Sequence, residues 1–181
     1  MMGNGKICFF AGHSDAPESV YPALAEAVQR HITGYGVAEF RVGNYGGFDR
    51  MAARAVKEAK QRHPGVTLYL VLPYLPEQGR PLPDMDGFDG FIYPEGMEEG
   101  PRRFAVSRLN RLMVQRADCI IAYVVHSWGG AFKTLEKAGA REGRGKLTIT
   151  NLGAKNAPQI EARSACRKTR CQIAKRTNGK F

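Results

Sequence analysis

The sequence predicts an α/β protein with a doubly wound, three-layer architecture and a mostly parallel sheet of five strands. Short apolar runs alternate with segments of helical periodicity, which is the order of elements in such folds. The runs are almost continuously apolar, as is typical of strands that helices cover on both faces. Several of them lead directly into glycine-containing loops, where proteins of this class bind ligands.

The size and composition fit a single domain followed by a tail. The chain has 181 residues, of which 43% are hydrophobic and 24% are charged, enough to form one core without metals or disulfides. The strand and helix pattern ends near residue 152, so we expect one domain over 1–152 and a basic tail over 153–181. No apolar run approaches the roughly 20 residues that cross a bilayer, and the first residues do not resemble a signal peptide. A cytoplasmic protein without membrane contact is therefore expected.

The basic charge is concentrated in the tail. The net charge is +10, and residues 153–181 hold eight Lys or Arg residues against one Glu. One interpretation is a solvated chain end without a partner, and the alternative is contact with nucleic acid or another anionic surface.

The amino-terminal half predicts three strands joined by two helices. Strands are expected at 6–11, 37–42 and 66–72, each one apolar and bounded by turn residues. The first helix has an apolar residue at every fourth position, at Val20, Leu24, Val28 and Ile32. The second helix follows the glycine loop at 43–49, and its apolar side consists of Met51, Ala52, Ala55, Val56 and Ala59.

The carboxyl-terminal half predicts two more strands and two more helices. From 73 to 100, Pro, Gly and Asp prevail without a period, so we expect a long loop close to a site rather than a regular element. A helix is expected over 101–116. Proline is favoured at the first helical position, and the residues that mark the helix after Pro101 are Phe104, Ala105, Leu109, Leu112, Met113 and Arg116. The run 119–125 predicts the central strand, a helix follows the Gly-Gly pair at 129–130, and 146–152 predicts the last strand.

Right-handed crossovers make 3-2-1-4-5 the expected strand order. In that order the first and fourth strands are neighbours where the order reverses, and the loops after the first, second and fourth strands converge on one crevice. Glycines there allow a ligand to approach the backbone, and a helix N-terminus attracts phosphate. The predicted ligand-binding residues of these loops are Gly12, His13, Gly43, Asn44, Gly46, Gly47, Phe48, Asp49, His126, Ser127, Trp128, Gly129 and Gly130.

Most of these residues also have an interpretation without a ligand. The glycines suit close packing of helix on strand, Asp49 suits a helix N-cap, and histidines at strand ends often bond backbone groups. Trp128 and Tyr45 suit stacking on a base, whereas a lone tryptophan equally suits the core.

Several chemistries are disfavoured by the motifs that the sequence lacks. No Ser-His-Asp or Cys-His arrangement and no Gly-Lys-Ser/Thr loop is recognisable, and the glycines at 43–47 lack the dinucleotide spacing. ATP hydrolysis and NAD-dependent redox chemistry are therefore not expected. A calcium loop over 84–95 fails because Phe88 and Asp89 occupy a ligand position and the glycine position. Cys166 and Cys171 have no nearby His or second Cys pair and make a poor zinc site. We therefore expect no metal, and we also expect no resident cofactor.

Six segments, taken together, carry a family resemblance. They are Phe-Ala-Gly-His at 10–13, the glycine loop at 42–49, Ile-Tyr-Pro-Glu-Gly at 92–96, Arg-Phe-Ala-Val-Ser at 103–107, Asn110 with Met113, and His-Ser-Trp-Gly-Gly-Ala at 126–131. In this order, over about residues 7–152, they resemble the SLOG superfamily of Rossmann-like proteins. The resemblance is greatest to its small bacterial and phage branch, a domain of unknown function that includes the YpsA-like proteins.

The resemblance implies two known activities. The superfamily includes cytokinin-activating phosphoribohydrolases, which cleave the N-glycosidic bond of nucleoside monophosphates, and DprA-like proteins, which bind single-stranded DNA. In the hydrolases a Pro-Gly-Gly-x-Gly-Thr-x-x-Glu motif holds phosphate and supplies a glutamate. Gly129, Gly130 and Glu136 match this motif, whereas its proline, third glycine and threonine are replaced here. Glu136 is accordingly the candidate catalytic residue.

Two arginines of the family are also replaced, by Leu109 and by Ser14. The arginines that could compensate are Arg103, Arg108 and Arg111. Arg103 is preferred as a ligand contact because it lies nearest the start of its helix and hence the crevice. Asn110 keeps the family residue and is also expected to contact the ligand.

Three functions follow as expectations. The first is binding of a small-molecule nucleotide or nucleotide-sugar, as a sensor or an enzyme. The second is N-glycosidic hydrolysis or transfer, with Glu136 as the carboxylate. The third is DprA-like binding of single-stranded nucleic acid, assisted by the tail. Exposed helix faces often form homodimers in this superfamily, so the resemblance leaves a homodimer open.

Overall fold

A computed structural model describes residues 5–75 and 83–154. Within these ranges the chain forms six strands, β1 Lys6–Gly12, β2 Val37–Val42, β3 Thr67–Val71, β4 Gly90–Ile92, β5 Cys119–Tyr123 and β6 Thr148–Asn151. The four α-helices of the same ranges are α1 Tyr21–Tyr35, α2 Gly47–Arg62, α3 Ala105–Arg116 and α4 Gly129–Glu142. Short 3-10 helices precede α1 at Glu18–Val20 and α3 at Arg102–Phe104.

All neighbouring strands are parallel, and the sheet has the order β4-β3-β2-β1-β5-β6. The five predicted strands are β3, β2, β1, β5 and β6, and their predicted order of 3-2-1-4-5 is confirmed. The predicted count of five was wrong, because a sixth strand, β4, forms the edge beside β3. The α/β architecture is confirmed as well. The order reverses between β1 and β5, where Cys8 and Cys119 are register partners.

The prediction of a long loop without regular structure over 73–100 was wrong in one part. Residues 90–92 form the edge strand β4, which pairs with β3. Asp89 fixes the start of this strand, because its carboxylate accepts a hydrogen bond from the Leu68 N–H at 2.7 Å and contacts Lys60 Nζ at 2.5 Å. Three residues are too few to produce a periodic pattern, so the sequence carried no signal for this strand.

Two helices cover each face of the sheet and form the three layers. On one face α1 and α2 pack through residues such as Leu24, Val28 and Ala52, together with Phe10 and Phe40 of the sheet. On the other face α3 and α4 supply Leu109, Met113, Leu135 and Ala138, among others. The apolar stripes predicted from the sequence thus become two separate cores on opposite faces of one sheet.

Some predicted boundaries shift by a few residues. The central strand was predicted over 119–125, but β5 ends at Tyr123 and the chain then turns into the loop before α4. Helix α2 begins at Gly47, so the predicted N-cap role of Asp49 was wrong: Gly46 is the N-cap and Asp49 lies in the first turn. Pro101 precedes a 3-10 helix rather than opening α3 itself.

The predicted basic tail lies, from residue 155 onward, outside the described residues. In the described ranges, no helix has the length and apolar character to cross a membrane.

Candidate functional site

A cavity of about 460 Å³ opens at the carboxyl edge of the sheet, where the strand order reverses. Ligand sites of open α/β sheets occur at this position, and the volume lies in the usual range for small-molecule sites. The predicted ligand-binding residues that line it are Gly12, His13, Gly43, Gly46, Asp49, Asn110, His126, Trp128, Gly129 and Gly130. The three predicted loops therefore converge on one cavity, and α3 closes its side.

Six predicted site residues do not line this cavity. Asn44 lines a neighbouring cavity of about 450 Å³, which shares Gly43 and Asp49 with the first. Ser127 is exposed in the loop before α4. The remaining four are Gly47, Phe48, Arg103 and Glu136.

Phe48 was predicted to contact the ligand, but it is fully buried in the core. Its ring packs against Phe10 and Tyr123, with centroids 6.4 and 6.1 Å away. A Cβ atom on Gly12 would overlap the same ring, so Gly12 is a glycine because Phe48 lies against its backbone. Phe48 therefore belongs to the core beside Gly12 and does not line the cavity.

The glycines after β2 are also explained by packing. A Cβ atom on Gly46 would overlap the Ser14 backbone, and one on Gly47 would lie 2.9 Å from the Ser14 carbonyl oxygen. Close approach of these two loops therefore requires small residues at both positions, with or without a ligand.

The glycines after β5 differ. Gly129 has φ of +89°, a left-handed conformation that suits glycine. Gly130 has no left-handed φ, and a Cβ atom there would meet nothing within 4 Å. Neither packing nor backbone conformation accounts for glycine at 130. The missing side chain leaves open space above the first turn of α4.

His13 joins the loop after β1 to the loop after β5. Its side chain is 8% exposed, and its Nε2 accepts hydrogen bonds from the N–H groups of Val125 at 3.1 Å and His126 at 3.4 Å. Burial, and then the nearby His126, lower the pKa of His13. The neutral ring with its proton on Nδ1 satisfies both contacts, so His13 holds the loop that carries Trp128.

Two pairs of aromatic side chains contribute to the cavity region, one in the loop after β5 and one that includes Tyr45 of the loop after β2. Trp128 stacks on His126, with ring centroids 5.0 Å apart and planes at 11°, and it remains 69% exposed. Core packing of the lone tryptophan, one of the two interpretations, was wrong. Tyr45 is 44% exposed and meets Tyr74 edge-on at 6.5 Å.

Asp49 is a partly buried carboxyl between the two cavities. Its Oδ2 accepts a hydrogen bond from the Tyr45 backbone N–H at 3.0 Å, which fixes the glycine loop. Burial raises the pKa of Asp49, and the bond from Tyr45 offsets part of that effect.

The described lining of the main cavity contains Asp15 and Asp49 but no lysine or arginine. Arg103, the predicted compensating arginine, is exposed, and its guanidinium lies over the Phe104 ring at 4.9 Å. Arg108 bonds the Met97 and Pro101 carbonyls, at 2.8 and 3.1 Å. An anion in this cavity would therefore rely on helix N-termini rather than on arginine.

Two helices begin at the cavity without a side-chain cap. The N-cap residues are Gly46 for α2 and Trp128 for α4, and both have extended backbone. The first-turn N–H groups of α4, at Gly129 and Gly130, lie at the open part of the cavity. Such groups carry partial positive charge and suit an anionic oxygen.

Glu136 is exposed and does not line the cavity. Its neighbours Thr134, Leu135 and Ala138 form the buried side of α4, which turns Glu136 toward solvent. The catalytic role implied by the family motif required a carboxylate that faces the crevice, and that condition is not met.

Thr134 is a site residue that the sequence interpretation missed. Its buried hydroxyl donates to the Gly130 carbonyl at 2.8 Å and accepts a hydrogen bond from Asn110 Nδ2 at 3.2 Å. These bonds tie α3 to the start of α4. Helical spacing could have predicted this contact, because a threonine four residues after Gly130 lies one helical turn further along α4.

No protein-family model matches the chain, and no curated protein matches its sequence. The chain is similar in structure to DNA processing protein A (DprA) from Streptococcus pneumoniae, with a TM-score of 0.56 and 17% sequence identity. The match covers 81% of this chain and 50% of that one, so the chain spans about half the length of DprA. A probable mandelate racemase from Alicyclobacillus acidocaldarius matches at 15% identity over 81% of this chain and 42% of that one, but its TM-score of 0.29 is too low to indicate a shared fold.

The similarity to DprA, together with the sheet order, defines the class of the protein. It is a Rossmann-like α/β protein with the fold of the DprA structure. At 17% identity the similarity extends to the fold alone.

Proposed function

We propose that the cavity binds a nucleotide, with its phosphate at the start of α4 and its base on Trp128. The observation that carries the proposal is the first turn of α4. At that point open space above Gly130 adjoins an exposed stacked aromatic pair.

The phosphate is assigned to α4 because its N-terminal N–H groups have no side-chain cap. A phosphate oxygen can approach Gly130 closely, since no side chain intervenes. The acidic Asp15 and Asp49 disfavour an anion elsewhere in the same cavity.

The base is assigned to Trp128 because stacking requires an exposed face that is held in place. His126 supports one face of the indole, and His13 in turn fixes the loop through the backbone of His126. Base stacking on such a face contributes about 1–3 kcal/mol and tolerates any base.

The ribose is assigned to the neighbourhood of Asp49. One oxygen of this carboxyl is committed to the Tyr45 N–H, and the group still borders the cavity. A carboxylate in a Rossmann-like crevice commonly accepts hydrogen bonds from ribose hydroxyls.

The test is the melting temperature of the full chain with AMP, GMP, CMP, UMP, adenosine and inorganic phosphate. We expect a shift with the monophosphates and a smaller one with adenosine, because adenosine lacks the group that α4 would hold. No shift with any phosphate-bearing compound would contradict the proposal.

A matched pair of variants separates stacking from general aromatic exposure. Trp128→Ala should weaken AMP binding by about 5- to 100-fold, the loss of one base-aromatic stack. Phe91→Ala removes an aromatic residue that is 43% exposed on the edge strand β4 and does not line the cavity, so AMP affinity should not change. Equal losses in the two variants would exclude Trp128 as the platform.

A second candidate is binding of single-stranded nucleic acid at the same cavity mouth. Two features support it: the fold similarity to DNA processing protein A, and the two exposed aromatic residues Trp128 and Tyr45. An oligothymidylate should then bind more tightly than TMP, and Trp128→Ala should weaken both. If TMP binds and the oligonucleotide binds no better, the site is specific for small molecules.

A further inference from the structure

A narrow notch between α3 and α4 adjoins the main cavity. It has a volume of about 40 Å³, and it shares Asn110 and Gly130 with the cavity. The hydrogen bond between Asn110 and Thr134 spans the two helices at this point. A group bound at the start of α4 thus lies at the entrance of the notch.

Three cations line the notch: Arg111 of α3 and Lys133 and Lys137 of α4. No acidic residue is among its described lining residues, and Ser107 adds a hydroxyl. The main cavity has the opposite composition, with two aspartates and no lysine or arginine in its described lining. The positive charge near Gly130 is therefore on the notch side.

These cations are not used by the fold of the described residues. Within the described ranges, none of the three side chains forms a hydrogen bond or an ion pair. Other cations of the protein do: Arg41 pairs with Glu39 at 2.6 Å and Lys60 with Asp89 at 2.5 Å. Helix α3 also has no acidic residue of its own, since Ala105–Arg116 contains Arg108, Arg111 and Arg116 but no Asp or Glu.

We propose that the notch binds a second phosphate group of a nucleotide whose first phosphate lies at the start of α4. This inference rests on the proposed function and narrows its ligand to nucleotides with two phosphoryl groups. The small volume suits one such group rather than a sugar or a base. Charge-assisted contacts from three unpaired cations can neutralise the phosphate that the acidic cavity cannot.

Two sources supply this chemistry. One is a nucleoside diphosphate or its derivative, in which the two phosphates are joined directly. The other is a 5′-phosphorylated dinucleotide, in which a 3′-linked phosphodiester follows the nucleoside. Both present a second anionic group to Arg111, Lys133 and Lys137, and the experiment below distinguishes them.

The test measures dissociation constants of AMP, ADP and 5′-phosphorylated diadenylate by calorimetry at one salt concentration. The variant combines Arg111→Gln, Lys133→Gln and Lys137→Gln, all at exposed positions. Its charge-matched control combines Arg116→Gln, Arg144→Gln and Lys146→Gln, at exposed sites that do not line the cavity or the notch.

We expect ADP, the dinucleotide or both to bind wild type about tenfold or more tightly than AMP. The triple variant should lose that advantage and keep its affinity for AMP, whereas the control should retain both. The ligand that shows the advantage identifies the source of the second phosphate.

Three results would overturn the inference. If AMP binds and neither larger ligand binds more tightly, the notch takes no second phosphate and the nucleotide site stands alone. If the control loses the advantage as fully as the triple variant, general surface charge explains it. If none of the three ligands binds, the inference and the proposed function fail together.

Discussion

Replacing Gly130 by alanine should stabilise the protein while it weakens the proposed ligand site. Gly130 is the second residue of α4, has no left-handed φ, and a Cβ atom there meets nothing within 4 Å. Alanine is favoured over glycine in a helix by about 0.5–1 kcal/mol, so the melting temperature should rise by about 1–4 °C. The same methyl group would occupy the space proposed for phosphate. Loss of one charged hydrogen bond corresponds to about 10- to 100-fold in Kd.

Gly139→Ala is the matched control for Gly130→Ala. Gly139 lies in the same helix, and a Cβ atom there also meets nothing within 4 Å. It lies more than two turns further along α4 and does not line the cavity. Its alanine variant should therefore gain a similar stability and leave nucleotide affinity unchanged.

Thermal unfolding gives the stability of both glycine variants, and calorimetry with the nucleotide that shifts wild type most gives the affinity. The reasoning is refuted if Gly130→Ala binds that nucleotide as well as wild type does. It is also refuted if Gly130→Ala destabilises the fold by more than Gly139→Ala, because the position would then have a structural need for glycine.

Three further predictions concern single side chains. His13→Ala leaves the N–H groups of Val125 and His126 without an acceptor and should lower the free energy of unfolding in urea by about 1–3 kcal/mol. Because the pKa of His13 is lowered in the fold, the stability that His13 contributes is fully present above the ordinary histidine pKa and is lost as the pH falls through the lowered value. Urea titrations at several pH values should find that loss in wild type and not in the variant. Asp49→Asn tests a pH dependence of opposite sign. Burial raises the pKa of Asp49, so the free energy of unfolding of wild type should fall as the pH rises through the raised value. The asparagine variant should not show this fall, and urea titrations should find it more stable relative to wild type at the higher pH. Glu136→Gln should change nucleotide Kd by less than about twofold, because Glu136 is exposed outside the cavity. Any base release measured by chromatography should also be unaltered. A large loss of affinity or of base release would show that Glu136 takes part in the site.

The strand order could be predicted because five apolar runs were long enough to reveal it. Strand β4 could not, because its three residues are held by Asp89 and by pairing with β3, which are tertiary contacts. The convergence of the loops followed from the topology alone, since carboxyl ends of parallel strands share one edge.

The identity of the side chains that enter the cavity was harder to predict. Phe48 was grouped with its glycine loop, although it continues the helical spacing of Met51, Ala52 and Ala55 and so belongs to the buried stripe of α2. Glu136 was assigned from a family motif, whereas its position beside Leu135 and Ala138 turns it outward. In both cases the helical periodicity predicted on which side of the helix the residue lies, and the assignment from the loop or motif disagreed with it.

The contact between Gly12 and Phe48 couples two positions that are distant in the sequence. Any side chain at 12 would collide with the Phe48 ring, so a larger residue at 12 requires a smaller one at 48. The double variant Gly12→Ala with Phe48→Leu should accordingly be more stable than the sum of its single changes allows. A substitution at Gly12 therefore disturbs the core contact with Phe48 in addition to the cavity that Gly12 lines, and a loss of ligand binding there would not by itself identify a ligand contact.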